Sequence, residues 1–558
     1  MFRSLVQRRF ASSATSAAVK RAGVSGSNGS SGGSRFLKFT VYGTGFLGAG
    51  FLIDKYYFDS AWSRTAKSFY VLARIGYDYK FKFNEQHDIA ALHEENADRF
   101  FNLLNENKGL YIKLGQNIAN QASILPPAFQ KKFAKLYDSA AEDPWEKVDM
   151  ILQQELGTNY NDYFNYIEKK PIASASIAQV HKAELKTGEQ VALKVQHYYI
   201  AKQIDADLMT YRVFTKIYEY FFEIPVSFTS QYICDHLKEE VDFRIELQNG
   251  EKVRKFIADD GYLHNKVHVP INYQDLSTKR ILASEWCDGL PLTDYQELKT
   301  QYNTKKIMKY YLELFSKMIF QWGFVHSDPH PGNLLVRYNK NTKIQEIVLL
   351  DHGLYVEFPE SLRYEYCALW KSLFELNDKE LKKIAIKWGI GSEQSDMFAS
   401  FSLLKPYHKS GENLAKLSNF ERQEYMKENF KKFFQETEKF PLELIFLGRS
   451  MRMIQLLNQK YRAPVNRINL FTREAVKGYY LNEPDVKHPG FWYRFERSIR
   501  YSIFVVILTI SDITFYTSKF SQYLFNTKNV EDLLQDQMLK QMKEFGIENP
   551  QDIDIFSG

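Results

Sequence analysis

The stretch Val325–Gly353, VHSDPHPGNLLVRYNKNTKIQEIVLLDHG, leaves this chain few ways to fold. Asp328 lies in a proline-studded loop, and Asn333 follows five residues later. Asp351 comes 18 residues after Asn333, at the end of the apolar run Ile347 to Leu350. The order is loop, short strand (Asn333 to Val336), turn, short strand (Ile347 to Leu350), acid, glycine. Such a β-hairpin brings Asp328, Asn333 and Asp351 to one end of a small ribbon. Three oxygen donors then converge as Mg²⁺ requires beside phosphates, with one carboxylate left to orient a nucleophile. Asp, Asn, Pro and Gly are also ordinary turn formers, so either half alone would mark only a turn. His326, Asp328 and His330 also fit the HxDxH of a metal triad, but Pro329 and Pro331 interrupt the strand that such a triad needs.

Upstream, Lys170 to Gln196 reads as a β-meander turning at Thr187-Gly188. Ala173, Ser174, Ala175 and Ser176 form a small-residue loop after its first strand, where a nucleotide-binding fold would place glycines. Lys194 is embedded in the apolar strand Val191–Val195, and a lysine there needs an anionic partner. The acids of a long helical stretch that runs to about Asp259 offer one. Glu239, Asp242 and Glu246 are spaced to share a helix face, and Glu246 is the expected partner of Lys194. Glu240 and Asp242 could meet Lys113, although a regular helix would not aim both at one point. Lys113 and Gln116 are three apart in a helical segment, with Gly115 between them. Glu285 and Cys287 lie where two strands end in a hinge. An Asp-x₄-Asn followed by Asp-x-Gly, with an upstream strand lysine, is the arrangement of a kinase's catalytic and metal loops. Glu360 comes only seven residues after Gly353. That is too short for the platform on which kinases hold a peptide substrate.

With these motifs in place, the chain resembles the UbiB family, the aarF-domain-containing atypical kinases. The resemblance rests on KLGQ (Lys113 to Gln116), SIAQVHKA, VALKVQ, EVDFRIE, HSDPHPGN and LDHG, in order across roughly residues 90–360. It implies an α+β fold: an atypical, kinase-like two-lobe fold with an extra N-terminal helical element and a mostly helical C-terminal lobe. The expected limits are a helical extension over 88–150, an N-lobe over 160–290, a C-lobe over 291–480 and a C-terminal helical extension over 481–558. It further implies ATP and Mg²⁺ as cofactors. Lys194 would hold phosphates and Glu246 would fix Lys194. Asn333 and Asp351 would carry the metal, and Asp328 would be the catalytic acid. Ala173, Ser174, Ala175, Ser176, Glu285 and Cys287 would line the nucleotide. Lys113 would pair with Glu240 and Asp242, and with Gln116 would belong to an element laid over the site.

Charge is unevenly placed. Residues 1–53 hold seven Lys/Arg and no acid, while the rest carries 66 basic against 67 acidic residues. The net +6 thus belongs to the first segment and does not suggest nucleic-acid binding. Residues 1–34, rich in Arg, Ser and Ala, read as a mitochondrial transit peptide with a Gly/Ser linker. Residues 36–53 read as a single N-terminal transmembrane helix. Gly43, Gly45 and Gly48 match GxGxxG there, but no strand precedes them. The DHG motif with this N-terminus resembles the mitochondrial branch. Its inner-membrane members are linked to coenzyme Q and lipid homeostasis. The expected partner is then a membrane lipid or prenyl-quinone, with the bulk of the chain facing the intermembrane space. Cys234, Cys287 and Cys367 are too far apart to suggest a disulfide framework or a zinc site. Tyr501 to Ile510 is apolar and ends at Ser511 and Asp512, too short to span a bilayer. A buried or membrane-lying helix is expected there, and an acidic amphipathic tail over 528–558.

Overall fold

A computed structural model describes residues 49–481 and 490–525, less 85, 121–125, 134, 137–141, 404–420 and scattered positions between 422 and 435. The expected transit peptide, most of the 36–53 span and the 528–558 tail lie outside the described residues. Residues 49–57 are helical and fall in a unit of their own. The chain from Phe58 onward is a second unit, and all that follows concerns it.

Five helices lead in: α1 (Ala61–Lys82), α2 (Ile89–Asn107), α3 (Leu110–Asn120), α4 (Pro127–Phe133) and α5 (Trp145–Leu156). Asp88 caps α2 by accepting from the Ala90 and Ala91 amides, which satisfies two orphan donors of its first turn. After α2 the chain turns at Gly109, whose φ of +52° a side chain would resist, and α3 starts at once. Ala97, Leu104, Tyr111, Ile112, Phe129, Phe133 and Leu136 form a separate small core for α2–α4.

An antiparallel sheet follows, made of β1 (Phe164–Ile167), β2 (Ala173–Ser174), β3 (Ala178–Leu185), β4 (Gln190–Gln196) and, after β5 (Val267–His268), β6 (Ile281–Glu285). The order is β1-β3-β4-β6, with β2 also pairing β3. Alternation does the sorting: β4 buries Val191, Leu193 and Val195 against Val148, Ile151 and Leu152 of α5, so Lys194 faces the other side. Between β4 and β5 the expected single helical stretch is instead three helices, α6 (Ile200–Phe222), α7 (Ser230–Glu240) and α8 (Phe243–Asp259). The α7–α8 break comes at Asp242, which is extended and caps α8 through the Arg244 amide.

Past the short strand β7 (Leu290–Pro291), the C-terminal part is mostly helical. Helices α9 (Tyr295–Gln301) and α10 (Thr304–Lys317) lead to β8 (Phe324–His326), β9 (Leu334–Tyr338), β10 (Gln345–Leu349) and β11 (Tyr355–Glu357). β9 and β10 are a hairpin with Leu334 opposite Leu349, and β8 pairs with β11. Then come α11 (Glu360–Glu375), α12 (Asp378–Lys387), α13 (Ser395–Leu403), α14 (Glu443–Lys460), α15 (Arg467–Leu481) and α16 (Phe491–Phe525). Phe320, Trp370 and Phe471, all fully buried, meet edge-to-face or tilted within the main core.

The C-terminal helix corrects an expectation. Ser511 and Asp512 do not end it, because Asp512 accepts from Asn469 and pairs with Arg473 of α15, which neutralises its charge sideways. α16 therefore runs 35 residues, and an 18-residue window within Phe491–Ser521 has a mean hydropathy of 1.5. Among the described residues it alone is long and apolar enough to cross a membrane, and it lies toward the C-terminus.

Gly115 lets α3 approach its neighbours: a Cβ there would press into Leu136 and come within 2.8 Å of Leu104. Gly115→Leu should destabilise the small core by about 1–3 kcal/mol. The expected result is a lowered thermal midpoint and faster amide exchange in α2–α4; unchanged exchange there would contradict the packing.

Candidate functional site

The β9–β10 hairpin does what its spacing predicts. The Leu350 amide donates to the Asn333 carbonyl at 3.0 Å, so Asn333 and the start of the Asp351 loop lie side by side. Asp328 joins them through β8, because His326 is held between the two loops. Its Nδ1 accepts from the Asp328 amide (3.0 Å), and its Nε2 donates to the Asp351 carbonyl (3.0 Å). Burial lowers its pKa, consistent with a neutral ring using both nitrogens structurally. His326 is thus a strut and not a metal ligand. His330 Nδ1 likewise accepts from the Gly332 amide (3.1 Å). His352 is buried, bonded through Nδ1 to the Tyr355 hydroxyl (2.9 Å) and stacked on its ring; burial pushes its pKa down to about 3.

Lys194 crosses from the β-sheet to α8. Its Nζ donates to both Glu246 oxygens at 2.8 Å and lies 3.6 Å from Asp351. Burial alone would lower the Lys194 pKa, but the Asp351 and Glu246 carboxylates outweigh it and hold the ammonium charged. Asp351 is pulled down to about 2 against its burial, by Lys194 and by the Gly353 amide that donates to Oδ1 at 2.8 Å. Its side chain keeps 34% exposure.

Lys113 of α3 reaches the same place. Its Nζ lies 2.6 Å from Glu240 and 3.4 Å from Asp328. The expected pairing with Asp242 is corrected: that carboxylate caps α8 and is taken by Arg244 at 2.9 Å. The reason is the helix break, which turns Asp242 away at the position where Glu240 ends α7. Gln116 does not reach the acids; its amide donates to the Leu136 carbonyl (3.3 Å) and fastens α3 to the segment after α4.

Ala173 and Ser174 form β2, and the turn over Ala175 and Ser176 is closed by the Ala175 amide on the Ala178 carbonyl and by His197 on the Ala175 carbonyl (2.9 Å). Glu285 and Cys287 sit apart from the acids, where β6 leaves the sheet. Glu285 pairs opposite Val191, three residues along β4 from Lys194 or about 10 Å away. It accepts from His268 (2.9 Å) and the Ile271 amide, and its pKa falls to about 2; burial raises the Cys287 thiol to about 12.

Reading the motifs missed Arg449. This α14 residue is almost fully buried, and its guanidinium lies 3.0 Å from Asp328. Ser450 beside it donates to the His326 carbonyl (3.0 Å), which seats α14 on the loop. The clue was available, since an arginine in the most apolar stretch of the C-terminal half needs a buried anion. Arg449 and Lys113 together hold Asp328 below the usual carboxylate range despite its burial. Both contacts use Oδ2, and Oδ1 is buried with no hydrogen-bond partner. That oxygen can take a substrate hydroxyl or water, so the residues present fit a phosphate-bound metal on Asn333 and Asp351 with an acid beside it.

The chain matches the ABC1 atypical kinase-like domain over residues 135–385. An ABC1 family protein of Purpureocillium lilacinum is 33% identical over 88% of this chain and 89% of that one. The chain belongs to the ABC1/AarF family of atypical kinase-like proteins. An ABC1 family protein of Schizosaccharomyces pombe is 36% identical over 82% of this chain and 87% of that one. The AarF domain-containing protein kinase 1 of Xenopus laevis is 32% identical over 63% and 68%. In this ABC1/AarF chain, β11 follows Gly353 at once and α11 begins at Glu360, with no long segment between.

Removing Arg449 should cost more than a surface charge. Arg449→Met leaves a buried carboxylate with one cation and is expected to destabilise by about 3–5 kcal/mol. Because Asp328 is depressed in the folded state, its contribution is present above an aspartate's ordinary 3.8 and is lost as pH falls below it. The stability gap between parent and variant, read by thermal unfolding, should thus be full above pH 3.8 and narrow in more acid solution. A gap independent of pH would break the link to Asp328.

Proposed function

We propose that this chain is an ATP- and Mg²⁺-dependent atypical kinase or ATPase that acts on a small lipid-like target rather than on proteins. The observation that carries the reading is the convergence of Lys194, Glu246, Asp351 and Asp328 at one end of the β9–β10 hairpin. Lys194 would hold nucleotide phosphates while Glu246 keeps it in place. Asn333 and Asp351 would hold Mg²⁺, which when bound offsets charge on the phosphates. Asp328 would orient the attacking hydroxyl or water through its free oxygen. The short link from Gly353 to Glu360 supports excluding a peptide substrate, since that link is too short to hold one. Action at the mitochondrial inner membrane in coenzyme Q or membrane lipid homeostasis belongs to the same proposal. It is supported by the composition of residues 1–53 and by the long apolar α16.

One observation favours a second reading, a nucleotide-gated module that binds lipid or a partner without needing turnover. Asp328 is held by Lys113 and Arg449 at once, so the catalytic acid is restrained.

ATP hydrolysis by the full chain with liposomes separates the two. Asp328→Asn should lower turnover by about 10²–10⁴-fold with nucleotide affinity little changed. Asp351→Asn should weaken Mg²⁺-dependent nucleotide binding as well. Turnover equal to the parent in both variants would end the catalytic assignment. Intact nucleotide binding, no turnover in the parent, and rescue of a deletion strain by Asp328→Asn would favour the gated module.

A further inference from the structure

α16 has two faces of different character. One is fastened to the protein. Phe504 and Leu508 pack with Val476 of α15. Asn469 donates to the Leu508 carbonyl and to Asp512, both at 2.9 Å, and Arg473 lies 3.1 Å from Asp512. Farther along, Lys305 of α10 stands over the Tyr516 ring and Lys519 donates to the Arg462 carbonyl at 2.6 Å.

The other face is an apolar stripe. Phe495, Ile499, Ile503, Val506, Ile510, Ile513 and Phe520 are each 43–63% exposed. Their spacing is mainly three and four, so they fall along one side of the helix. From Phe495 to Phe520 the stripe runs about 38 Å. Between Arg500 and Lys519 the only charged residue is Asp512, and it points into the protein against Arg473. The first turns have a different composition: exposed Phe491, Trp492 and Tyr493 stand beside Arg494, Arg497 and Arg500, with Glu496 the single acid. An apolar stripe with a basic, aromatic end is the pattern of a helix lying in a membrane interface.

We propose that α16 lies flat on an anionic bilayer, its stripe in the lipid and its opposite face on the protein, and does not cross. Length and hydropathy alone would permit crossing. The packing argues against it. The midpoint of α16 is bound to α15, which carries Arg467, Arg473, Glu474 and Lys477. A crossing helix would draw those charges into hydrocarbon at several kcal/mol each. A helix in the surface plane leaves them in the protein and buries only the stripe. The three arginines then meet lipid phosphates at one end of the helix. Vesicle contact is read without nucleotide, so this proposal stands or falls apart from the catalytic one.

The test uses the full chain reconstituted with phosphatidylcholine vesicles, with and without phosphatidylserine. Cys234, Cys287 and Cys367 are all buried, so a fluorescent NBD label can be directed to Ile499→Cys, Val506→Cys or Ile513→Cys one at a time. The unlabelled-site parent serves as control. The expected result is blue-shifted emission at all three positions. Quenching should be stronger by a shallow lipid label than by a deep one, at one common depth about 5–10 Å below the headgroups. Depth that changes steadily from 499 to 513 means a crossing helix and overturns the proposal. No lipid quenching, with probe–probe self-quenching that grows with protein concentration, means a second copy covers the stripe and overturns it too. Emission unchanged by vesicles overturns it outright. Reversing the basic end (Arg494→Glu, Arg497→Glu, Arg500→Glu) should cut the quenching at position 506 severalfold on phosphatidylserine vesicles, with thermal unfolding unaltered. Quenching that survives this reversal overturns the anionic surface as the partner.

Discussion

One buried carboxylate organises the candidate site. Asp328 is largely withdrawn from solvent, its side chain 18% exposed, and an ionised carboxylate there is costly without cations at hand. Those cations come from opposite parts of the chain: Lys113 from the helical extension and Arg449 from the C-terminal helices. Extension, catalytic loop and C-terminal part are therefore fixed against one another by the requirement to neutralise a single oxygen. The orphaned Oδ1 leaves Asp328 with an acceptor that the two cations do not use.

Around that acid the histidines act as neutral struts. His326 joins the Asp328 and Asp351 loops through both ring nitrogens, and His352 locks the DHG turn onto Tyr355. Burial lowers the pKa of both rings, so they impose geometry without adding charge to the cluster. Lys194 provides the positive charge, placed by strand alternation and held by Glu246. The result is a set of charged side chains gathered at one end of the hairpin, followed by only a short link to α11.

The local parts of this arrangement were legible in the residues. The hairpin follows from turn residues set between two apolar runs. The Lys194–Glu246 pair follows because a strand lysine must find an acid and α8 carries one at its first turn. What could not be read was the choice among chemically equal partners. Asp242 and Asp328 are both carboxylates; only the break between α7 and α8 turns the former toward Arg244 and leaves Lys113 for the latter. Arg449 lies 121 residues from Asp328 in sequence, and no spacing rule reaches that far.

The end of the chain shows the same division. A helix past Tyr501 and an apolar run within it are properties of local composition. Asp512 looked like its stop because an isolated charge in an apolar helix is costly. In the folded chain Asn469 and Arg473 neutralise that charge from the side, so the helix continues for 35 residues and presents an apolar stripe. The sequence by itself determined the period of each element and the kinds of group at the site, because these depend on neighbours a few residues apart. The tertiary structure decided which charge meets which, because the cost of a buried charge is set by whatever the fold brings within about 4 Å of it.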